Sequence, residues 1–432
     1  MANLLITGQK KLSGKIATNS AKNSAVAILC ATAMIKGKTV LRSVPRIEEV
    51  NRIIEVLLSI GLKVEWTSEH TLTITNSGKL SLKNLNHESF IKTRSALLLM
   101  GSLANSLSEF SLPRAGGCKL GKRTVNPFII ALNYLGVKVK EAPTAYQINA
   151  KNKRGTEFTM YESGDTATEC AIMVAALAKG TTIINLASSN YMVQDLIYFL
   201  KKSGAKIEWI GSNKLRIIGV KKLNPISYPL MPDPIESMAF ISIAITTHSH
   251  LTVTHCPIDF LRLEIEKLTV MGQKFKISRP YKSENGHFDL VDIEIIPSRL
   301  KALPDKLHPL PYPGLNIDNL PLFIPILTQA EGDTLVHDWV YENRAIYYIE
   351  IARLGANIML HDPHRVTVSG PTELKANEII CPPALRPAIN LLIAMLAAKG
   401  KSILRNSYSI DRGYENLYER LKGIGADIKI ID

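Results

Sequence analysis

One unit recurs six times along this 432-residue chain, and that repeat limits the fold more than any other feature. In each copy a helical stretch runs into a small glycine turn and then a short strand. The turns read IGLKV at Gly61, LGVKV at Gly136, SGAKI at Gly204, MGQKF at Gly272, LGANI at Gly355 and IGADI at Gly425. The stretches IEEVNRIIEVLLSI, VQDLIYFLKKS and YENLYERLKGI precede three of them, with apolar residues three and four apart, the period of an amphipathic helix. Glycine suits the turn because it enters the left-handed conformation without a Cβ penalty. Before most of these helices lies a strand opened by another glycine: KGKTVLRSV, KGTTIINLA, EGDTLVHDW and KGKSILRNS. The segments NSAVAILCATAMI, ECAIMVAALA and AINLLIAMLA are apolar on nearly all faces and predict buried helices.

The pattern predicts an α/β fold of α+β repeats, each of roughly 70 residues. Six units divide into two lobes of three. The third and fourth are joined by NPISYPLMPDP, whose Pro225, Pro229, Pro232 and Pro234 are expected to break helix and sheet and to mark a crossing between lobes. The expected boundaries are 22–229 for the first lobe, and 1–21 with 230–432 for the second. A two-lobed body suits a small ligand held in a cleft. A repeat scaffold without catalysis would look the same at this level, so function has to be read from particular residues.

The formal net charge of +14 suits anionic partners. Lysines are scattered, with no basic tail or block, which argues against nucleic acid and leaves phosphorylated small molecules. No apolar run is long enough for a transmembrane helix, and the opening MANLLITGQKKLSGKIATNS lacks a signal-peptide core. A cytoplasmic protein without a membrane partner is expected. The cysteines are Cys30, Cys118, Cys170, Cys256 and Cys381, odd in number and without a CxxC pair, so neither a disulfide framework nor a zinc knuckle is expected. Four lie in apolar or strand-like surroundings and read as buried, inert thiols. Neither the histidines, such as His248, His250, His255, His361 and His364, nor any phosphate-loop motif predicts a metal or nucleotide-cofactor site.

Two segments carry a sharper signal. In NSAKNSAVAIL, Lys22 and Asn23 stand just before a buried helix, where free N–H groups and a lysine make an anion site; a capping turn with a surface lysine is the plainer alternative. In LPRAGGCKLGKRTV, Gly116, Gly117 and Gly121 make a loop in which Arg114, Lys119, Lys122 and Arg123 surround Cys118. Nearby cations favour the thiolate, so Cys118 reads as a nucleophile or general acid, or as a plain surface thiol. Arg344, Arg386 and Arg412 sit at the ends of predicted elements. Arginine binds carboxylate and phosphate bidentately, although each one alone also suits a surface ion pair. Asp318, in PGLNIDNLP, suits either a helix N-cap or a base facing the cleft.

Together the motifs SAKNSA, LPRAGGCKLGKR, YENRA, ALR and SIDRGYE, in this order over the whole chain, resemble the enolpyruvyltransferase family, and within it the branch that acts on UDP-N-acetylglucosamine. The resemblance implies two inside-out α/β barrel lobes, each of three units. It implies transfer of the enolpyruvyl group of phosphoenolpyruvate to the 3-hydroxyl of UDP-N-acetylglucosamine by addition and elimination, with release of phosphate. That reaction is the first committed step of peptidoglycan synthesis. Lys22, Arg123 and Arg412 would bind the phosphate, and Arg344 and Arg386 the carboxylate. Cys118 would protonate the methylene carbon and Asp318 would take the hydroxyl proton, with Lys22 and Arg412 also acting in catalysis. Asn23, Arg94, Arg123, Thr124, Val125, Asp318 and Val340 would contact the acceptor. No metal or organic cofactor is implied; the expected partners are phosphoenolpyruvate and a UDP-sugar, for a monomer or weak homo-oligomer.

The chain also departs from the family, mainly where the acceptor binds. After the loop arginine it reads TVNPF (Thr124 to Phe128) in place of Pro-Val-Asp-Leu-His. GDTAT (Gly164 to Thr168) replaces Ser-Val-Gly-Ala-Thr, SNYM (Ser189 to Met192) replaces Arg-Glu-Pro-Glu, and Ala384 replaces an aspartate. The loop between Pro113 and Gly116 reads two residues longer. Two further readings therefore stand: a paralogue acting on another nucleotide or sugar acceptor, and a non-catalytic binding protein of the same fold.

Overall fold

The computed structural model describes residues 3–114, 116 and 124–431. The six repeat glycines all adopt the left-handed backbone, with φ between 78° at Gly136 and 104° at Gly204. At Gly136 the turn also has no room for a side chain, since a Cβ would lie 2.2 Å from the Asn152 carbonyl oxygen. Gly37, Gly180, Gly332 and Gly400, which open strands, take positive φ as well.

The chain divides into two compact units. One takes in Met1–Asn19 and Pro232–Asp432, the other Ser20–Gly117 and Arg123–Met231. Each unit carries three sheets on one plan. A strand such as Gly37–Arg42 lies between a parallel neighbour, Ser227–Pro229, and an antiparallel one, Thr71–Asn76, which in turn pairs with Lys63–Ser68. Thr181–Asn185, His250–Pro257, Ala330–His337 and Lys401–Arg405 occupy the same position in four other sheets. The sixth, Glu109–Pro113 with Ala145–Asn149 and Lys138–Glu141, lacks the parallel strand among the described residues. Asn3–Thr7 completes the last sheet, between Lys401–Arg405 and Asp427–Ile431.

The all-apolar segments are buried helices. Lys22–Thr32, Leu99–Leu103 and Asp165–Ala176 lie inside one unit, and Pro234–Thr246, Phe323–Leu327 and Leu385–Ala397 inside the other. Each unit thus has helices at its centre and sheets outside, because a helix apolar on every face has nowhere else to go. No helix among the described residues is long and apolar enough to cross a membrane.

Two local expectations are corrected. NPISYPLMPDP does not break every regular element: Ser227–Pro229 is an edge strand and Pro234 opens the helix Pro234–Thr246. A strand edge needs no N–H from proline, and the first helical turn leaves one unused. The helix before Gly355, Ala345–Leu354, is a 3₁₀ helix. Its buried residues Ala345, Tyr348, Ile351 and Leu354 are spaced by three, which is the 3₁₀ period.

Where the chain passes between units, each side is tied down by a buried acid. Asp195 accepts hydrogen bonds from Tyr228 Oη at 2.5 Å and Met231 N at 3.3 Å. Glu236 accepts from Asn19 N at 2.5 Å and pairs with Arg420 at 2.7 Å. Burial pushes the Asp195 carboxyl up to about 7, against which the bonds from Tyr228 and Met231 act. A carboxyl raised in the folded state stabilises most at low pH, and that contribution is lost as pH rises through its folded pKa. The stability of Asp195→Asn relative to the parent chain should therefore rise between pH 5 and 7 and level off above, as read by urea denaturation across that range. A flat difference would show that Asp195 is ionised throughout.

Candidate active site

The unit built from Pro232–Asp432 gathers one buried ionic cluster. Asp318 lies in the turn before the short helix Leu320–Leu322, whose N-cap is Asn319, so the capping alternative for Asp318 does not hold. Its carboxylate faces two guanidiniums instead: Arg386 Nη2 is 3.2 Å from Oδ2, and Arg344 Nη1 is 3.8 Å from Oδ1. Arg386 is the second residue of Leu385–Ala397 and also donates to Tyr414 Oη at 3.2 Å. Burial disfavours its cation, but Asp318 and Tyr414 outweigh that and hold the guanidinium above its ordinary value.

Arg344, at the start of Ala345–Leu354, is fully buried. It forms a fork with Asp338, Nε to Oδ2 at 2.6 Å and Nη2 to Oδ1 at 2.9 Å, and donates to the Ile317 carbonyl at 2.7 Å. Tyr348 Oη donates to the same Asp338 carboxylate. Arg344 Nη1 is left buried without a hydrogen bond, on the side of Asp318. A buried donor in that state costs about 1–3 kcal/mol, so this nitrogen is ready to receive an anion. Sequence reasoning missed Asp338, Tyr348 and Tyr414. The one legible signal was an acidic residue, Asp338, directly after the strand Ala330–His337 and six residues before Arg344.

The Asp318 turn is held from below as well. Glu264 Oε1 accepts from Asn319 Nδ2 at 2.7 Å and Asn316 N at 3.2 Å, while Asn316 Oδ1 accepts from Asp318 N at 2.9 Å. Arg412, half-buried, follows the short helix Tyr408–Asp411, and Val340 is exposed beside Trp339. The structure draws Asp318, Arg344 and Arg386 together.

In the other unit, Lys22 and Asn23 are the first two residues of the buried helix, not the residues ahead of it, and the helix has no side-chain cap. Asn23 Nδ2 donates to the buried Tyr191 Oη at 2.9 Å. Arg94 Nη2 donates to the Thr124 carbonyl at 2.7 Å, and Thr124 and Val125 lead into the helix Asn126–Tyr134. The divergent GDTAT and SNYM segments meet: Asp165 Oδ1 accepts from Ser188 Oγ at 2.5 Å and Oδ2 from Asn190 Nδ2 at 3.0 Å. Both carboxylate oxygens thus already have protein donors. Cys118 and Arg123 lie outside the described residues. The other four cysteines are buried; burial raises all four, Cys170, Cys256 and Cys381 to about 12.

A central-helix α/β repeat with an aspartate between two buried arginines is the setting of an anion-handling transferase, and the chain's relatives agree. Residues 6–421 match the family described as EPSP synthase (3-phosphoshikimate 1-carboxyvinyltransferase), and the chain belongs to that family. It is 33% identical over 432 residues to UDP-N-acetylglucosamine 1-carboxyvinyltransferase of Treponema denticola, covering 100% of this chain and 99% of that protein. It is also 33% identical over 433 residues to the protein of that name from Bradyrhizobium diazoefficiens, covering 98% and 97%. Among solved structures, the enolpyruvyl transferase NikO from Streptomyces tendae superposes with a TM-score of 0.87 at 24% identity, over 100% of this chain and 99% of that one. An EPSP synthase from Acinetobacter baumannii gives 0.75 at 17%, over 100% of both. These two likenesses concern the fold.

Proposed function

We propose that this chain is a cytoplasmic enzyme that transfers the enolpyruvyl group of phosphoenolpyruvate to the 3-hydroxyl of UDP-N-acetylglucosamine, releasing phosphate. The observation that carries the reading is the cluster of Asp318 with Arg344 and Arg386, in a chain similar from end to end to carboxyvinyltransferases of that specificity. Arg386 and the open Nη1 of Arg344 hold the substrate carboxylate. Asp318 takes the proton from the acceptor hydroxyl as its oxygen bonds to the enol carbon, and Cys118 delivers a proton to the methylene carbon. In the second step that carbon returns a proton and the carbon–phosphate oxygen bond breaks. Lys22, Arg123 and Arg412 stabilise the departing phosphate. Asn23, Arg94, Thr124, Val125 and Val340 contact the acceptor. The chemistry uses only side chains of this chain.

The test is phosphate release from phosphoenolpyruvate with a panel of UDP-sugars and free nucleotides. UDP-N-acetylglucosamine should be preferred. A different preferred acceptor would move the chain to another branch of the family, and binding without release would remove the catalytic reading.

The assignment of Cys118 has its own check. The four described thiols are buried and raised by burial, so at neutral pH they present almost no thiolate. A thiol-directed epoxide such as fosfomycin, incubated with acceptor and the folded chain, should give a single adduct at Cys118 by peptide mass spectrometry. Adducts at Cys30, Cys170, Cys256 or Cys381 at comparable rates would contradict the assignment.

A further inference from the structure

Lysines that are scattered along the sequence are gathered by the fold onto one end of the unit built from Ser20–Gly117 and Arg123–Met231. We propose that this end is a docking surface for an anionic lipid membrane, in place of the membrane-free chain expected from the sequence. Nine turns form it. Three end the buried helices, at 33–38, 103–109 and 176–181; three end the outer helices, at 59–63, 134–138 and 201–206; three leave the outer sheets, at 76–83, 149–155 and 218–225. They hold fifteen lysines and arginines, fourteen of them lysine, and one acid, Glu109. Lys151 pairs with Glu109 at 2.8 Å, and no other of the fifteen has an acidic partner among the described residues. All are exposed except Lys153, which donates to the Ala104 carbonyl at 2.9 Å.

The turns make one surface because each is tied to another. Ser81 N donates to the Ile60 carbonyl at 3.1 Å, and Asn76 Nδ2 to the Ala33 carbonyl at 2.9 Å. Gly37 lies against Pro225, whose Cγ would be 2.9 Å from a Cβ there. Asn224 N donates to the Ser203 carbonyl at 2.8 Å, and Gly219 N to that of Gly180 at 3.0 Å. Gly155 N bonds Lys179 O at 2.8 Å, Arg154 N bonds Leu135 O at 2.9 Å, and Ala150 N bonds Ser108 O at 2.7 Å. The helix Lys22–Thr32 runs from Lys22 and Asn23 to this surface. It is about 16 Å long, twice the Debye length of about 8 Å at physiological salt, so the lysines do not serve a substrate held at Lys22.

Helix ends alone do not account for the charge. A helix C-terminus favours a cation in its last turn, and the repeats of the other unit end their helices in the same way. There, however, Glu331 takes the place that Lys36 and Lys179 hold before the strand-opening glycine. Two residues after the repeat glycine stand Lys63, Lys138 and Lys206 in this unit, but Lys274, Asn357 and Asp427 in the other. Lysine supplies point charges without the bidentate fork by which arginine reads nucleic acid. The charges are spread over a ring of turns, not along an element that enters a groove. A lipid surface presents its charge in two dimensions, which such a spread matches, and each lysine near it contributes about fivefold in affinity. Tyr134 and Ile218, 51% and 42% exposed in the same turns, add apolar bodies suited to the interfacial layer.

The test is co-sedimentation of the full chain with phosphatidylcholine vesicles containing about one-third phosphatidylglycerol, beside vesicles of phosphatidylcholine alone. Binding to the anionic vesicles is expected at physiological ionic strength, with release in about 1 M salt and no binding to the neutral ones. A variant carrying Lys36→Gln, Lys79→Gln, Lys179→Gln and Lys222→Gln should bind about 10²–10³-fold more weakly. A second variant, with Lys10→Gln, Lys274→Gln, Lys301→Gln and Lys429→Gln at exposed positions of the other unit, removes the same charge and should bind within about threefold of the parent. Equal losses in the two variants would reduce the effect to net charge and overturn the surface. So would failure of the parent chain to bind anionic vesicles, or equal binding to neutral ones, and these two results need no variant to fold. A DNA or RNA duplex that displaces the chain from the anionic vesicles at equal total charge would make nucleic acid the partner and overturn the membrane reading. The surface does not depend on the proposed function: a chain that releases no phosphate with any acceptor, yet binds anionic vesicles as described, would lose the one and keep the other.

Discussion

Asp318→Asn should lower turnover about 10²–10⁴-fold, the usual contribution of a positioned general base, while binding of phosphoenolpyruvate stays level or tightens. The two effects differ in direction because Asp318 has two tasks. As a base it accepts a proton, which an amide cannot do. As a counter-ion it offsets Arg386, at 3.2 Å, and Arg344, at 3.8 Å. The amide keeps the shape, and its oxygen still accepts from Arg386, but one negative charge is gone from beside two guanidiniums. An anionic substrate then meets a more positive site. Initial rates at varied phosphoenolpyruvate and saturating acceptor give kcat and KM separately. Melting temperature should fall little, because Asp318 is partly exposed and neither caps a helix nor sits in the core. A kcat within tenfold of the parent would place the base elsewhere, and a parallel fall in kcat and melting temperature would make Asp318 a structural residue.

Much of the fold was legible because it is written in local signals. A glycine at positive φ is needed wherever a helix turns sharply into a strand, and the same five-residue pattern marks all six such places. The buried helices were equally plain, since Ala167–Ala176 in Asp165–Ala176 and every residue of Pro234–Thr246 are buried. Where local signals conflict, reading by pattern fell short. AIYYIEIARL looks helical, with apolar residues at both three and four, but the residues it buries recur at three alone, and it winds as a 3₁₀ helix. The proline-rich crossing looked structureless, yet Ser227–Pro229 pairs with Gly37–Arg42, more than 180 residues earlier.

The candidate site divides along the same line. Arg344, Arg386 and Asp318 were recognisable as residue types in motifs. Their mutual arrangement was not, because Asp318 meets Arg386 across 68 positions and Glu264 meets Asn319 across 55. Buried polar groups must find partners, but the sequence does not say which ones. That rule makes Asp338 informative. It lies six residues from Arg344, is fully buried, and is the side chain that allows a guanidinium to be buried there at all.

Asp338→Ala should cost about 3–5 kcal/mol of stability, the range for removing one partner of a buried ion pair. The cost comes from what remains. Arg344 is fully buried, keeps its charge, and loses both arms of its fork with Asp338. Asp318, at 3.8 Å from Nη1, is too distant to replace them. Tyr348, which donates to Asp338, is left with a buried hydroxyl and no acceptor from that side chain. Burial, the largest influence on the Tyr348 phenol, raises it against the pull of Arg344 and does not depend on Asp338, so Tyr348 is a poor replacement counter-charge. Urea denaturation followed by circular dichroism measures the loss. The double variant Asp338→Leu, Arg344→Met should regain most of it, because replacing both members of a buried pair with apolar groups of similar size is nearly neutral. It should not regain activity, since the Nη1 of Arg344 that faces Asp318 is gone. Recovery of stability without turnover separates what the pair does for the fold from what Arg344 does for the substrate. A loss below about 1 kcal/mol in Asp338→Ala would mean that water or a neighbouring group neutralises Arg344, and that the fork does not hold this guanidinium in place.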